Sequence, residues 1–325
     1  MKRTVYILAA VLALLPARVS AQRYAVTTVS ANIMRSEPDF ESSMETQCLM
    51  GTLVEILEED GIWRKISCPE PYEAWVNELT LAELSPEEAG AWLAEEKYIF
   101  TPMYGHVLDA PSRDAGFISD LVAGDIMRIT RRNGRPLRHG RFLGVTLPSG
   151  KRGWVPKKDL APFKEWAASR QATAGNVIST AKLLLGTPYL WGGESPKGLD
   201  CSGLVRYCFF LNGVLLPRNT SQQVRLGEEV PVLDKDGNID LSALIPGDLV
   251  FFFNEKTGRV NHVTIYMGDG NIIQSSQLVR INTITDPSSP DYYSRRPLCA
   301  RRILSHIGEP GIRPLTSSPS YFPQK

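Results

Sequence analysis

The spacing of apolar residues changes character once along this chain, and that change limits the folds open to it. Up to about residue 162 the apolar residues come in short runs broken by turns. Gly51-Thr52-Leu53-Val54-Glu55-Ile56-Leu57 alternates with period two, Asp60-Gly61 marks a hairpin, and Trp63-Arg64-Lys65-Ile66 resumes the alternation. Beyond residue 176 the spacing is helical first: Val177, Ala181 and Leu184 fall at i, i+4 and i+7, with Gly186 and Pro188 to stop the helix. Helical patterning continues from Asp200 to about Leu211 and from Thr220 to about Leu226. Strand-length runs follow from Asp248 to Phe253, His262 to Met267 and Asn271 to Gln274. Helices followed by strands predict an α+β domain built on an antiparallel sheet.

The β-patterned half repeats itself. Gly124-Asp125-Ile126-Met127-Arg128-Ile129 resembles Gly51 to Ile56, and Arg152-Gly153-Trp154-Val155 resembles Glu73-Ala74-Trp75-Val76. Two copies of a small barrel fit this pattern, at residues 22–82 and 98–162. Between them, Ser85-Pro86 with Glu88 three residues after the serine is a capping box, which predicts a connecting helix within 83–97. Residues 163–175 read as a linker, 176–307 as the α+β domain, and the Pro- and Ser-rich residues 308–325 as a disordered or loosely docked tail.

At the start, Lys2 and Arg3 precede an apolar run from Val5 to Leu15, and Val19-Ser20-Ala21 offers small residues to a signal peptidase. Residues 1–21 are therefore expected to be a signal peptide, with a retained anchor as the alternative and a short run arguing against stable membrane insertion. The mature chain is expected to be exported, to the periplasm or beyond. Five cysteines in an oxidising compartment leave at least one unpaired. Cys48 and Cys68 fall in one small β-rich segment and could form a disulfide, and Cys208 and Cys299 suit buried apolar positions. A net charge of +1 argues against electrostatic capture of nucleic acid or anionic membrane. No metal-ligand cluster or phosphate-cradling glycine motif stands in the sequence, so no cofactor is required. Nothing specifies an oligomeric state.

The chemistry-bearing feature is Asp200-Cys201-Ser202-Gly203. Asp200 is a plausible helix N-cap, which puts Cys201 in the first turn, facing the positive end of the helix dipole and unpaired N–H groups. Both favour thiolate, and the same N–H groups can hold an oxyanion. A thiolate needs a base that later protonates the leaving amine. Of four histidines, His106 lies in the second barrel, His139 in a charged loop and His306 near the tail, leaving His262, which opens an alternating strand. Gln274 on the returning strand falls opposite His262 if the turn centres near Gly268; an Asp269-Gly270 turn shifts that register. Its oxygen can accept the second imidazole N–H.

Tyr189-Leu190-Trp191-Gly192-Gly193, Asp200 to Val205, Leu216-Pro217-Arg218, Pro246-Gly247-Asp248-Leu249 and Asn261 to Tyr266 occur in the order seen in NlpC-type (NlpC/p60) cysteine peptidases, which the chain resembles from about Val177 to Leu304. The β-rich units resemble bacterial SH3-like domains. The resemblance implies a papain-like domain behind two SH3-like barrels, with Cys201 as nucleophile, His262 as base and Gln274 as third polar member, where the family often has histidine. It implies a Tyr189 hydroxyl near the oxyanion, with aromatic packing as its other role. Trp191 would wall the pocket or fill core. The two-barrel arrangement resembles γ-D-glutamyl-L-diamino acid endopeptidases, which release L-Ala-γ-D-Glu from murein stem peptides. Asp200 and Ser202 then match residues contacting the free amine of L-alanine, and Tyr72 is the first barrel's candidate contribution. The subgroup's acidic barrel residue has two candidates, Glu41 and Glu45. Competing readings are a lytic endopeptidase or amidase on intact wall, and a wall-binding protein whose catalytic domain is inert.

Overall fold

The computed structural model describes residues 22–254 and 256–324, so the expected signal peptide lies outside the described residues. Among these residues the N-terminal half forms two antiparallel barrel-like sheets. In the first, the strands run in the order Met44–Leu49, Ala31–Arg35, Tyr72–Asn77, Trp63–Cys68, Leu53–Asp60, Arg23–Thr27, Leu81–Leu84. The second runs Phe117–Val122, Tyr104–Leu108, Arg152–Pro156, Phe142–Thr146, Ile126–Ile129, Lys97–Phe100, Leu160–Pro162. The order of successive strands is the same in both, so the weak sequence repeat corresponds to a repeated topology.

The repeated glycine turns are where the two sheets meet. Gly51 (φ +84°) leaves no room for a Cβ, which would lie 2.4 Å from the carbonyl oxygen of Ile126. Its counterpart Gly124 (φ +101°) is pressed by Leu49 and by Phe210 of the C-terminal domain. Only glycine tolerates both this backbone conformation and this approach. The turns also exchange hydrogen bonds: Ile126 N–H donates to Met50 O at 2.9 Å, and Met50 N–H donates to Asp125 Oδ1 at 3.1 Å.

The connecting helix is shorter than expected, Pro86–Ala94 rather than reaching Lys97. Ser85 and Glu88 form the capping box at its start. At its end the Lys97 ammonium donates to the carbonyls of Trp92, Leu93 and Glu95, satisfying orphan acceptors of the last turn. Lys97 itself opens the first strand of the second sheet.

The C-terminal half is α+β, as the pattern predicted. A six-stranded antiparallel sheet runs Glu228–Val230, Pro297–Arg302, Leu249–Phe253, Val260–Gly268, Asn271–Ser276, Leu278–Thr283. The helix Cys201–Leu211 packs on it and is buried from Cys201 to Phe210. It is enclosed on every side: the sheet on one, Ala174–Leu183 on another, and the second barrel beyond, where Tyr207 donates its hydroxyl to Ala123 O at 2.7 Å. No helix among the described residues is long and apolar enough to cross a membrane. All five cysteines are free and buried, including Cys48 and Cys68.

Two segments depart from expectation. Residues 163–175 are not a bare linker: Phe163–Ser169 is helical, with Phe163 and Trp166 buried. The expected loose tail is ordered and packed. Arg313–Pro314 pairs with Val214–Leu215, Ile312 and Leu315 are fully buried, and Phe322 stacks on Phe163 at 5.0 Å between centroids. Tyr321, also buried, shares a hydrogen bond with the Thr52 hydroxyl at 3.2 Å, and Ser320 O accepts from Leu53 N–H. The tail thus straps the C-terminal domain to the first barrel. Its apolar anchors follow turn geometry instead of a helix or strand period.

This strap carries stability. Tyr321→Ala, which empties an aromatic site, should cost about 3 kcal/mol or more, and Tyr321→Phe, which removes only the hydroxyl bond, about 1 kcal/mol. Denaturant titration measures both; an alanine variant as stable as wild type would show that the tail is merely laid on the surface.

Candidate active site

The site begins with a helix cap. Asp200 takes extended backbone and its Oδ1 accepts Gly203 N–H at 2.7 Å, starting the helix at Cys201. Asp200 does more than cap. Oδ1 also accepts from Ser202 Oγ at 3.1 Å and Arg218 Nη1 at 3.2 Å, while Oδ2 accepts from Gly192 N–H at 3.0 Å and Arg218 Nη2 at 2.5 Å. Arg218 Nη1 donates to Ser202 Oγ at 2.9 Å. The carboxylate's charge is balanced internally by a buried guanidinium, and its acceptor capacity is largely filled.

That guanidinium reaches into the first barrel. Arg218 Nε donates to Thr46 Oγ1 at 2.8 Å, and the Thr46 hydroxyl donates to Glu194 Oε2 at 3.1 Å. Arg206, in the Cys201 helix, donates to Glu194 Oε2 at 2.6 Å, to Pro69 O at 2.5 Å and to Leu216 O at 2.8 Å. Glu194 N–H donates to Gln47 Oε1 at 2.9 Å. Two arginines and two carboxylates therefore close a buried, charge-balanced seam between barrel and catalytic domain.

A cavity of about 630 Å³ opens beside this seam. Cys201, His262, Tyr189, Trp191, Asp200 and Ser202 all line it. Trp191, 65% exposed, stands on the rim and fills no core. Two of the sequence candidates stand behind the wall instead. Gln274 is fully buried behind His262, and Tyr72 is absent from the lining, donating its hydroxyl to Glu45 Oε2 at 2.7 Å. Glu45 lines the cavity from the first barrel, whereas Glu41 lies exposed away from it. Of the two acidic candidates, Glu45 is the one that lines the cavity.

The strand turn is the Asp269-Gly270 alternative. Ile265 pairs with Ile273 and Gly268 with Asn271, with a bulge between, so Gln274 stands beside Thr264 and diagonal to His262. The contact forms all the same, because a diagonal neighbour lies within reach of long side chains: His262 Nε2 and Gln274 Oε1 are 2.5 Å apart. Gln274 Nε2 donates to Asn282 Oδ1, and Asn282 Nδ2 to Asp291 O, each at 2.8 Å. A backbone carbonyl can only accept, so this relay has one polarity. Asn282 presents oxygen to Gln274, Gln274 presents oxygen to His262, and Nε2 carries the proton. Nδ1 is left with the lone pair. Asn282 gave no signal in the sequence, since only the register of Asn271–Ser276 against Leu278–Thr283 places it there.

Electrostatics revise one expectation. Burial pushes the Cys201 thiol up and the Asp200 carboxylate adds to this, against the Thr220 hydroxyl and the N–H groups of Val263 and Ser202. Burial holds His262 down to about 4; Gln274 and Asp200 oppose this and Arg295 adds to it. Both directions favour neutral thiol and neutral imidazole over the ion pair, with burial the largest cause in each. Tyr189 is pushed up to about 12, by burial first and then by Cys201 and Asp200, so its hydroxyl remains a donor at neutral pH. The Thr220 hydroxyl lies 3.7 Å from the sulfur.

Two family models match the chain. The NlpC/P60 family model matches residues 186–302, and that of the bacterial dipeptidyl-peptidase SH3 domain residues 34–81. A γ-D-glutamyl-L-lysine dipeptidyl-peptidase of Bacillus cereus is 28% identical over 262 residues, spanning 77% of this chain and 73% of that protein. Dipeptidyl-peptidase 6 of Lysinibacillus sphaericus is 27% identical over 272 residues, spanning 82% and 93%. The crystal structure of an NlpC/P60 family protein from Bacillus cereus superposes with a TM-score of 0.68 at 25% identity, covering 86% of this chain and 99% of that one.

A neutral resting thiol makes alkylation strongly pH-dependent. Between about pH 6 and pH 8 the rate of iodoacetamide labelling at Cys201, followed by peptide mass, should rise about tenfold per pH unit. A flat rate over that range would reveal a preformed thiolate–imidazolium pair instead.

Proposed function

We propose that this chain, which belongs to the NlpC/P60 cysteine peptidases through its catalytic domain, hydrolyses the γ-D-glutamyl to L-diamino acid bond of peptidoglycan stem peptides. The preferred substrates begin with free L-alanine, and the acyl product is L-Ala-γ-D-Glu. The supporting observation is the composition of one cavity. A thiol at a helix start and an imidazole line it together with a barrel carboxylate, Glu45. Because Arg218 already balances Asp200, Glu45 is the carboxylate left to balance a substrate ammonium. Asp200 and Ser202, bound to each other and to Arg218, line the cavity with the carboxylate's charge already balanced, and Tyr72 holds Glu45 in place.

In this reading Cys201 attacks the γ-carbonyl carbon while its proton passes to Nδ1 of His262. The Gln274–Asn282 relay keeps that nitrogen unprotonated and the ring aimed. Charge on the carbonyl oxygen is met by N–H groups at the helix start and by the Tyr189 hydroxyl. The imidazolium then protonates the nitrogen of the diamino acid, the C–N bond breaks, and a thioester remains. Water, losing a proton to His262, attacks the thioester and frees the dipeptide and the thiol. Gln274 brings no negative charge, so the imidazolium is stabilised less than it would be by a carboxylate, and orientation is the relay's main contribution. We place this activity outside the cytoplasm, after loss of residues 1–21.

Mass analysis of L-Ala-γ-D-Glu-meso-diaminopimelate digests tests the assignment. Wild type should release L-Ala-γ-D-Glu, and Cys201→Ala should lower the rate by roughly a thousandfold or more; comparable rates would end it. Intact sacculi cleaved in preference to the free tripeptide would favour the wall-lytic alternative. Glu45→Gln should raise KM for free-amine peptides roughly tenfold with kcat nearly constant, and N-acetylated peptides should not distinguish the two enzymes. Asn282→Leu should do the reverse, lowering kcat about tenfold to a hundredfold while KM holds. Equal effects on both constants would make Asn282 a folding residue only.

A further inference from the structure

Two arginines line the cavity, and they differ in how their charge is met. Arg218 is bound by the Asp200 carboxylate. Among the described residues Arg295 is held only by neutral acceptors: Phe253 O at 3.0 Å, the Asn261 side-chain oxygen, and the Tyr293 hydroxyl at 3.3 Å. Its guanidinium also lies over the Phe252 ring, 5.9 Å from the centroid. Among the described residues no carboxylate pairs with it. These contacts fix the side chain at a cavity wall with no described carboxylate to balance it, an arrangement suited to an anionic ligand.

Its neighbours show which part of a substrate it would meet. Phe252 and Tyr293 both pack against His262, at 5.9 and 5.7 Å between centroids, and Asn261 directly precedes it. The imidazole must protonate the departing nitrogen, so the residue bearing that nitrogen lies on the His262 side. The α-carboxylate of an amino acid is two bonds from its nitrogen. Glu45 stands at the barrel side, so the cavity has an acidic wall from one domain and a basic group beside the proton donor.

We propose that Arg295 is a specificity residue for the leaving group, pairing with a carboxylate carried by the diamino acid. This rests on the peptidase reading above. Two sources share the chemistry: the α-carboxylate of a chain-ending diamino acid and the side-chain carboxylate of diaminopimelate. Pairing has a second consequence. The charged and titratable groups around the imidazole are Arg295, Asp200, Cys201 and Tyr293, and Arg295 is the one whose charge opposes imidazolium. A substrate carboxylate on Arg295 cancels that opposition when His262 must become an acid.

The experiment compares kcat/KM on four peptides beginning L-Ala-γ-D-Glu: one ending in L-Lys, its C-terminal amide, one ending in meso-diaminopimelate α-amide, and the lysine peptide with the glutamyl α-carboxylate amidated. Wild type should prefer leaving residues bearing a carboxylate over the lysine amide by about tenfold. In R295Q that ratio should fall to near one, with R295K intermediate because it keeps charge without the planar fork. Ratios are read within one preparation, so partial loss of folded enzyme does not alter them. Preference for the lysine acid alone assigns the α-carboxylate, and preference for the diaminopimelate amide alone assigns the side-chain carboxylate. The inference is overturned if wild type shows no preference, if R295Q retains it, or if R295Q instead changes discrimination at the glutamyl carboxylate. Those outcomes leave the peptidase reading intact, whereas a wild type that cleaves none of the four removes both.

Discussion

The structure depends on a set of charges taken out of water together. Arg218 is 2% exposed and Arg206 4% exposed, and their partners Asp200 and Glu194 are nearly as enclosed. Desolvating each such ion costs several kcal/mol, and that cost is offset only where every charge is paired and its remaining donors are satisfied. Here the last donors find Thr46 and Pro69 of the first barrel. Separating barrel and catalytic domain would take the Thr46 hydroxyl and the Pro69 carbonyl from the two guanidiniums and open both ion pairs to water, so the seam ties the two together. Glu45, which lines the cavity, is the residue before Thr46 on the same strand. Its position is inherited from Thr46.

The same economy of charge governs the catalytic pair. Cys201, enclosed beside a carboxylate, is held neutral, and His262, enclosed beside a guanidinium, is also neutral. What the fold supplies is direction. A backbone carbonyl at Asp291 sets the polarity of Asn282, which sets Gln274, which sets the imidazole tautomer. An amide can serve as the third member because the relay beyond it removes the rotational ambiguity that an isolated glutamine would have.

How much of this was legible in the sequence follows from how local each feature is. Cys201 and its cap are contiguous, so four residues announce them. His262 was reachable by elimination among four histidines and by strand alternation. Gln274 was named through the wrong opposition: the turn is Asp269-Gly270, and a bulge near Met267 with a diagonal reach restores the contact. Glu45 stayed tied with Glu41 because only the strand Met44–Leu49 against the catalytic domain separates them. Arg218 stood in a recognised motif, yet its partners Thr46 and Asp200 are joined to it only by tertiary structure. Phe163–Ser169 is too short for a helical period to register. In the tail, proline and serine content masked Ile312, Leu315 and Tyr321, whose burial depends on pairing with Val214–Leu215 and on the Thr52 hydroxyl.

The two barrels illustrate how a repeat becomes a division of labour. Both keep the same strand order and the same left-handed glycine at the start of the matching strand, so the repeated turns can meet, Gly51 against Ile126 and Gly124 against Leu49. Around that shared contact they use different surfaces. The first turns Met44–Leu49 to the catalytic domain and supplies Glu45, Thr46 and Gln47 to the site and its seam. The second supplies no cavity residue; it accepts Tyr207 from the catalytic helix at Ala123 and, through Asp120, pairs with Lys197 and Ser30. Asp120 thus touches the first barrel and the catalytic domain at once. A barrel attached to a catalytic domain along one seam could hinge about it. A second barrel bonded to both removes that freedom, so the cavity wall built by the first stands at a fixed distance from the thiol.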